Sequence, residues 1–280
     1  MGRPYTSSEE AWEFSQRGLE LYRRFTPQDN AEARKLFDKA INLDPKFARA
    51  YAYLAATHRQ DANMEWTANR QASEDLAYSN AQRAVELARA ELEPKPSLPY
   101  VLYQWGLVLL YSGRHEEARA AAAEAVQRDP NYADAYALWA HILTYLVKPW
   151  DAFPKLQQAI YRNPKDPFLY NYYRGALECV WGFQDPKDPD QHFRLAEEHL
   201  RRAVKTNPNF RPAHASLAAV FMARGNREDA RKEMAILAQG GRPRPSRDFE
   251  RFQKYIERSL PYADPAIRAR LIDLWREADQ

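Results

Sequence analysis

Between Ala33 and Ala55 the chain reads ARKLFDKAINLDPKFARAYAYLA, and Ala33, Phe37 and Ala40 recur at helical spacing until the pair Asp44-Pro45 ends the pattern. A second apolar helix begins at once. The same sequence of amphipathic helix, proline and new helix continues down the chain, and no alternating Val/Ile/Thr runs signal strands. The pattern predicts an all-α fold, and it has a period. Pro130 and Pro164 lie 34 residues apart, as do Gly106 and Ala140, Ala118 and Ala152, Ala122 and Leu156, and Ala125 and Ala159. Ala218, Ala230, Met234 and Leu237 repeat the same internal spacings.

Small residues at fixed positions have a packing meaning. A helical hairpin cannot bury its apolar face alone, so it must stack on neighbours. Gly106, Ala140 and Ala218 sit where two helices must approach closely, and Ala118, Ala152 and Ala230 fill the facing position. A larger side chain at either place would cost about 1–3 kcal/mol in overpacking. Pro45, Pro130, Pro164 and Pro208 cannot continue a helix, so each marks a junction between units.

This combination of period, small residues and closing proline resembles the tetratricopeptide repeat. The third unit carries it best, through Leu102, Trp105, Gly106, Leu109, Gly113, Ala118, Ala122, Ala125 and Pro130. The resemblance implies a right-handed superhelical solenoid of about six helical hairpins with C-terminal capping helices. Its array spans residues 1–241, with capping helices over 242–280 that break at Pro261. Ten-residue insertions near 58–77 and 181–195 fall between the two helices of a hairpin and are expected to project from one edge of the stack. The opening RFTPQDNAEARKLFDKAINLDPKFARAYAYLA and the tail SLPYADPAIRARLIDLWREA are similar to arrays in bacterial signalling proteins. There the array follows a class III adenylate cyclase or a winged-helix DNA-binding domain. Neither effector is visible here, so the chain reads as the accessory module, either a fragment or a free-standing relative.

Composition narrows the picture without changing it. Apolar residues at 45% and charged residues at 28% suit a folded soluble chain, and a net charge of +3 argues for no particular partner. From Arg224 to Arg258 there are ten Lys/Arg against six Asp/Glu, which fits a solvated helix face, and no nucleic acid is expected. Cys179 is the single cysteine, so no internal disulfide can form. The longest apolar run, Tyr100 to Tyr111, is too short to span a bilayer, and the N-terminus has no apolar signal segment, which makes the cytoplasm the expected compartment. MGRPYT meets the myristoylation pattern through Gly2 and Thr6, but six residues match readily by chance.

No catalytic constellation emerges, and no cofactor or metal is expected. HEEAR at His115 lacks a second histidine four residues on. His58, His141 and His214 occupy different repeat positions, and Cys179 reads as a packing residue. Asp185, Asp188 and Asp190 in QDPKDPDQ lack the glycine and distal glutamate of a calcium loop.

The resemblance does imply a binding surface, because in that family the first helix of each unit lines a concave groove. Carrying its positions over gives Arg49 and Arg59 in the second unit and Tyr100, Tyr103, Leu107 and Leu110 in the third. The fourth gives Asp134, Ala137, His141 and the neighbouring Tyr145, and the fifth gives Asn171 and Tyr172. The expected function is a non-enzymatic scaffold that takes a protein or peptide segment in an aromatic groove. The alternative is a small apolar or aromatic ligand held between hairpins. Three tryptophans, Trp66, Trp150 and Trp181, map to inter-helix regions. Trp150 and Trp181 belong to consecutive units and are expected to form a second surface, for self-association or an effector domain.

Overall fold

The repeat junctions show how the sequence sets the fold. Asp44, Asp129, Asn163 and Asn207 each precede a proline, which disfavours the helical region for the residue before it. All four adopt extended φ values of −139°, −137°, −132° and −136°, and each still donates its N–H to the last helical carbonyl, of Ala40, Ala125, Ala159 and Ala203 respectively. Three of these side chains then accept the N–H two residues on, at Lys46, Asn131 and Asn209. The Asx turn satisfies the backbone at the turn, and the next helix starts within a few residues.

The structure, a computed structural model, describes residues 5–92, 96–165, 168–237, 260 and 262–279. Among them are 13 helices and no strand. The chain divides into two compact units, residues 1–138 and 139–280. In the first, α1 (Glu9–Tyr22) packs on α2 (Pro27–Leu43), α3 (Ala48–Met64) on α4 (Arg70–Ala90), and α5 (Leu98–Tyr111) on α6 (His115–Arg128). Helix α7 (Ala133–Tyr145) gives residues to both units. In the second, α8 (Pro149–Arg162) packs on α9 (Phe168–Gln184), α9 on α10 (Pro189–Thr206), and α11 (Arg211–Ala223) on α12 (Arg227–Leu237). Helix α13 (Pro265–Asp279) lies against α11 and α12, with the buried Trp275 indole donating to the Ala215 carbonyl at 2.8 Å. The remaining part of the expected cap, residues 242–259 and Pro261, falls outside the described residues, as does Gly2.

Close approach occurs where small residues predict it. A Cβ on Gly106 would stand 2.9 Å from Leu138 Cδ2 and 3.4 Å from the Ala118 carbonyl oxygen. Gly175 is tighter, at 2.5 Å from Leu200 Cγ and 3.1 Å from the Ala196 carbonyl oxygen. Ala118, Ala152, Ala196 and Ala230 are fully buried.

The expected projecting insertions take a different form. Helices α3 and α4 run 17 and 21 residues, and α9 and α10 run 17 and 18, against 14 each for α5 and α6. Extra helical turns absorb most of the added sequence, because every added turn keeps its backbone hydrogen bonds and extends a buried face. Trp181 therefore lies on the last turn of α9 rather than in a loop. Asp188 caps α10 by accepting the Gln191 N–H at 3.1 Å.

Candidate functional site

In the first unit the first helices of successive hairpins gather a cationic and aromatic cluster. Arg49 and Tyr53 are one turn apart on α3, and Tyr100 and Gln104 are one turn apart on α5. The Arg49 guanidinium lies over the rings of Tyr5 at 4.1 Å, Tyr100 at 4.5 Å and Tyr53 at 5.9 Å. Tyr53 and Tyr100 pack at 5.1 Å, and Tyr100 reaches Tyr103 at 6.2 Å, which meets Tyr132 edge-on at 5.9 Å. Gln104 Nε2 donates to the Tyr100 hydroxyl at 2.8 Å. Burial pushes the Tyr100 phenol well above its ordinary range, so it stays a neutral donor and acceptor. Arg49 is half-buried, and no carboxylate pairs with it among the described residues.

Arg59 makes a second, parallel arrangement further along α3. It donates to the Tyr22 hydroxyl at 3.2 Å and lies 5.7 Å from the Tyr111 ring. It also borders an open cleft of about 260 Å³ with Asn63, Glu74, Val108, Tyr111 and Ser112.

The other expected groove residues are placed differently. Tyr103, Leu107 and Leu110 are core residues. In the second unit His141, Tyr145, Asn171 and Tyr172 are only 1–5% exposed, so these four side chains are not presented to solvent as a groove lining. His141 stacks on Tyr173 at 4.1 Å and meets Tyr145 edge-on at 4.6 Å. The C-terminal segment covers the end of α7, where the ring of Tyr262 packs edge-on against Tyr145 at 4.8 Å and the Ala263 N–H donates to the Tyr145 carbonyl at 2.8 Å. That carbonyl is one of those a helix end leaves unpaired.

The sequence reading did not include Tyr5, Tyr22, Tyr53, Gln104 and Tyr132. Tyr53 was discoverable, because it lies four residues after Arg49 on one helix face. Tyr5 was not, since nothing local links it to residues 44 and 95 positions away. His214 is hydrogen-bonded to Glu233 and to the Pro208 carbonyl. Burial pushes the Cys179 thiol up to about 12. Trp150 and Trp181 do meet, edge-on at 4.4 Å. No helix among the described residues is long and apolar enough to cross a membrane.

Comparison with known proteins supports the repeat reading. Residues 99–132 match the tetratricopeptide repeat family. That stretch is α5, α6 and the junction that follows them. No curated protein matches the chain. Human IFIT1, solved as a dimer with PPP-AAAA, superposes with a TM-score of 0.65 at 19% identity over 96% of this chain and 58% of that one. The IFIT1 dimer with m7Gppp-AAAA gives 0.68 at 18% identity with the same coverage. The chain thus spans little more than half the length of the IFIT1 chains. A thermophilic TPR protein of Thermus thermophilus gives 0.52 at 16% identity, over 76% of this chain and 99% of that one. At these identities the likeness is one of fold.

Proposed function

We propose that this chain is a non-enzymatic interaction scaffold whose first unit binds a peptide or protein segment carrying an acidic side chain beside an aromatic one. The observation that carries this reading is Arg49. A guanidinium over three tyrosine rings is held in place by cation–π contact, yet its fork of donors has no carboxylate partner among the described residues. The tyrosines supply rigid apolar area with hydroxyl tips, the residue type favoured where proteins meet partners. A peptide aromatic would stack on the part-exposed Tyr5 and Tyr100, which the buried Tyr53 and Tyr103 hold from behind, while its carboxylate pairs with Arg49. The similarity of the chain's opening and tail to bacterial signalling arrays supports placing it as the accessory module of a regulatory system.

The test is selection from a random peptide library on the immobilised chain. Selected peptides should be enriched in Asp or Glu next to Phe, Tyr or Trp, and Arg49→Ala and Tyr100→Ala should abolish their capture. Peptides without that signature, or capture unchanged in both variants, would reject the reading.

A second reading has one observation in its favour. Paired arginines among tyrosines also suit a phosphorylated single strand, with phosphates on the guanidiniums and bases on the rings, and the IFIT1 structures of similar fold hold PPP-AAAA and m7Gppp-AAAA. A steep fall of affinity with salt would favour the oligonucleotide, and a shallow one the peptide. The small-ligand alternative has less support, because the cleft beside Arg59 is open to solvent and does not enclose a molecule.

A further inference from the structure

Helix α8 carries more exposed apolar side chain than the other second helices of hairpins, of which α2 and α4 show one exposed leucine each, Leu43 and Leu76. Among the described residues six large hydrophobic side chains stand exposed, and three of them are on α8: Trp150 at 71%, Tyr161 at 83% and Ile160 at 39%. The outward residues of α6 and α10 are instead mostly charged, such as Glu116, Arg119, Arg194, Glu198 and Arg202. At about 100° per residue, Trp150, Pro154, Gln157 and Tyr161 fall in one stripe opposite the buried Ala152, Leu156 and Ala159. Trp150 is braced from behind by Trp181, which itself stacks on His192 at 4.7 Å. The aromatic end is therefore held before any partner arrives, which lowers the ordering cost of binding.

We propose that this face of α8 is a homodimer interface in which two copies pack their α8 helices antiparallel about a two-fold axis. Three pairs of residues on the helix come near each other when it is set against its own reversal. Its stripe carries an aromatic residue at each end, about 16 Å apart, with the polar Gln157 between them. Turning a second copy end to end sets Trp150 against Tyr161 and, on the same flank in both copies, Phe153 beside Ile160. On the opposite flank Asp151 comes within a turn of Arg162, so opposite charges meet twice across the axis. A two-fold contact needs this self-complementarity, with each residue meeting its mirror position in the partner. A foreign partner would not require these reciprocal pairs. The contact is one helix wide, so the dimer belongs with small, weak interfaces, with Kd on the order of 10–100 µM.

Analytical ultracentrifugation of the full chain across that concentration range tests the inference. Wild type should pass from monomer to dimer. Trp150→Ala/Tyr161→Ala should weaken dimerisation at least about tenfold with unchanged circular dichroism, because both side chains are mostly in solvent. Asp151→Arg should weaken it about two- to fivefold by facing Arg162 of the partner subunit, and adding Arg162→Asp in the same chain should restore it. A wild type that stays monomeric throughout overturns the proposal and leaves the face to another partner. Association that survives the aromatic double variant, or a charge reversal that the second substitution does not rescue, overturns it equally.

Discussion

The guanidinium of Arg49 stands 4.5 Å above the ring of Tyr100, a residue 51 positions further along the chain. One comes from the first turn of α3 and the other from the first turn of α5, so the pairing exists only because consecutive hairpins place their first helices side by side. If this pair is the anchor of the binding face, Arg49→Lys will not substitute for it. Lysine keeps the charge but loses the planar fork that both stacks on the rings and pairs with a carboxylate. Affinity for peptides selected on the wild type should fall about tenfold or more in Arg49→Lys, with the melting temperature little changed. Retained affinity in that variant would mean that charge alone suffices and the tyrosine bank is structural.

The glycines that admit close helix contact differ in what surrounds them, and this ranks their substitutions. At Gly106 the tightest neighbour of an added Cβ is the tip of Leu138, which can rotate away. Gly106→Ala should therefore be near neutral, because the gain of up to about 1 kcal/mol in helix propensity offsets a small shift. At Gly175 the neighbours are the branch carbon of Leu200 and a backbone carbonyl, neither free to move. Gly175→Ala should cost about 1–3 kcal/mol. Gly106→Leu should be costly as well, since its bulk reaches past the Leu138 tip toward Ala118 and Ala121. Denaturant melts of the three variants would check the order, and equal midpoints for the two alanine variants would contradict it.

Much of this architecture is legible in the sequence because the signals are local. A proline after Asp or Asn fixes the junction, and small residues at a fixed spacing fix the contact between paired helices. Length arithmetic located the insertions around residues 58–77 and 181–195, but it could not distinguish a loop from added helical turns, since both insert the same number of residues. The proposed binding face was only half legible. Arg49, Arg59, Tyr100 and Tyr103 follow from repeat positions, and the structure gathers them in one unit. Tyr53 follows from Arg49 by helical spacing, whereas Tyr5 joins only through three-dimensional convergence, which no periodicity records. Tyr145 occupies a groove position by register, yet Tyr262, 117 positions later, packs against it. A repeat pattern describes contacts between neighbouring units and is silent on a distant segment that folds back.

His58 should give the fold a specific sensitivity to acid. Its ring is buried on α3, Nδ1 has no hydrogen-bond partner among the described residues, and burial together with the nearby Arg34 charge lowers its pKa to about 4. An unfolded histidine titrates near 6.5, so between these values the unfolded chain binds the proton that the folded one refuses. The neutral ring's contribution is complete above pH 6.5 and is lost as the pH falls toward 4, by roughly 3 kcal/mol in all. Stability measured from pH 7 down to pH 4 should decline less steeply in His58→Gln than in wild type. Parallel curves would show that other groups carry the acid response.

Glu178 is a buried carboxylate of the second unit whose removal should be costly. Its carboxylate is 1% exposed on α9, and it holds Arg174 at 2.7 Å through one oxygen and His192 Nδ1 at 2.6 Å through the other. Both partners are mostly buried, with side chains 18% and 16% exposed, and His192 also lies 3.5 Å from an Asp185 oxygen. Arg174 is pinned further by the Phe153 ring, 4.2 Å from its guanidinium. Replacing Glu178 by leucine keeps the volume but leaves a buried cation without its counter-charge, a change that typically costs about 3–5 kcal/mol. Glu178→Gln retains an acceptor for one of the two donors and should cost less. The loss should also be visible away from the charge itself, because His192 forms the stacking floor of Trp181. Glu178→Leu is expected to lower the unfolding midpoint and to raise the acrylamide quenching of Trp181, measured as the difference from the same variant carrying Trp181→Phe. A destabilised protein whose Trp181 quenching is unchanged would place the cost in the Arg174 pair alone and release His192 from any role in fixing the indole.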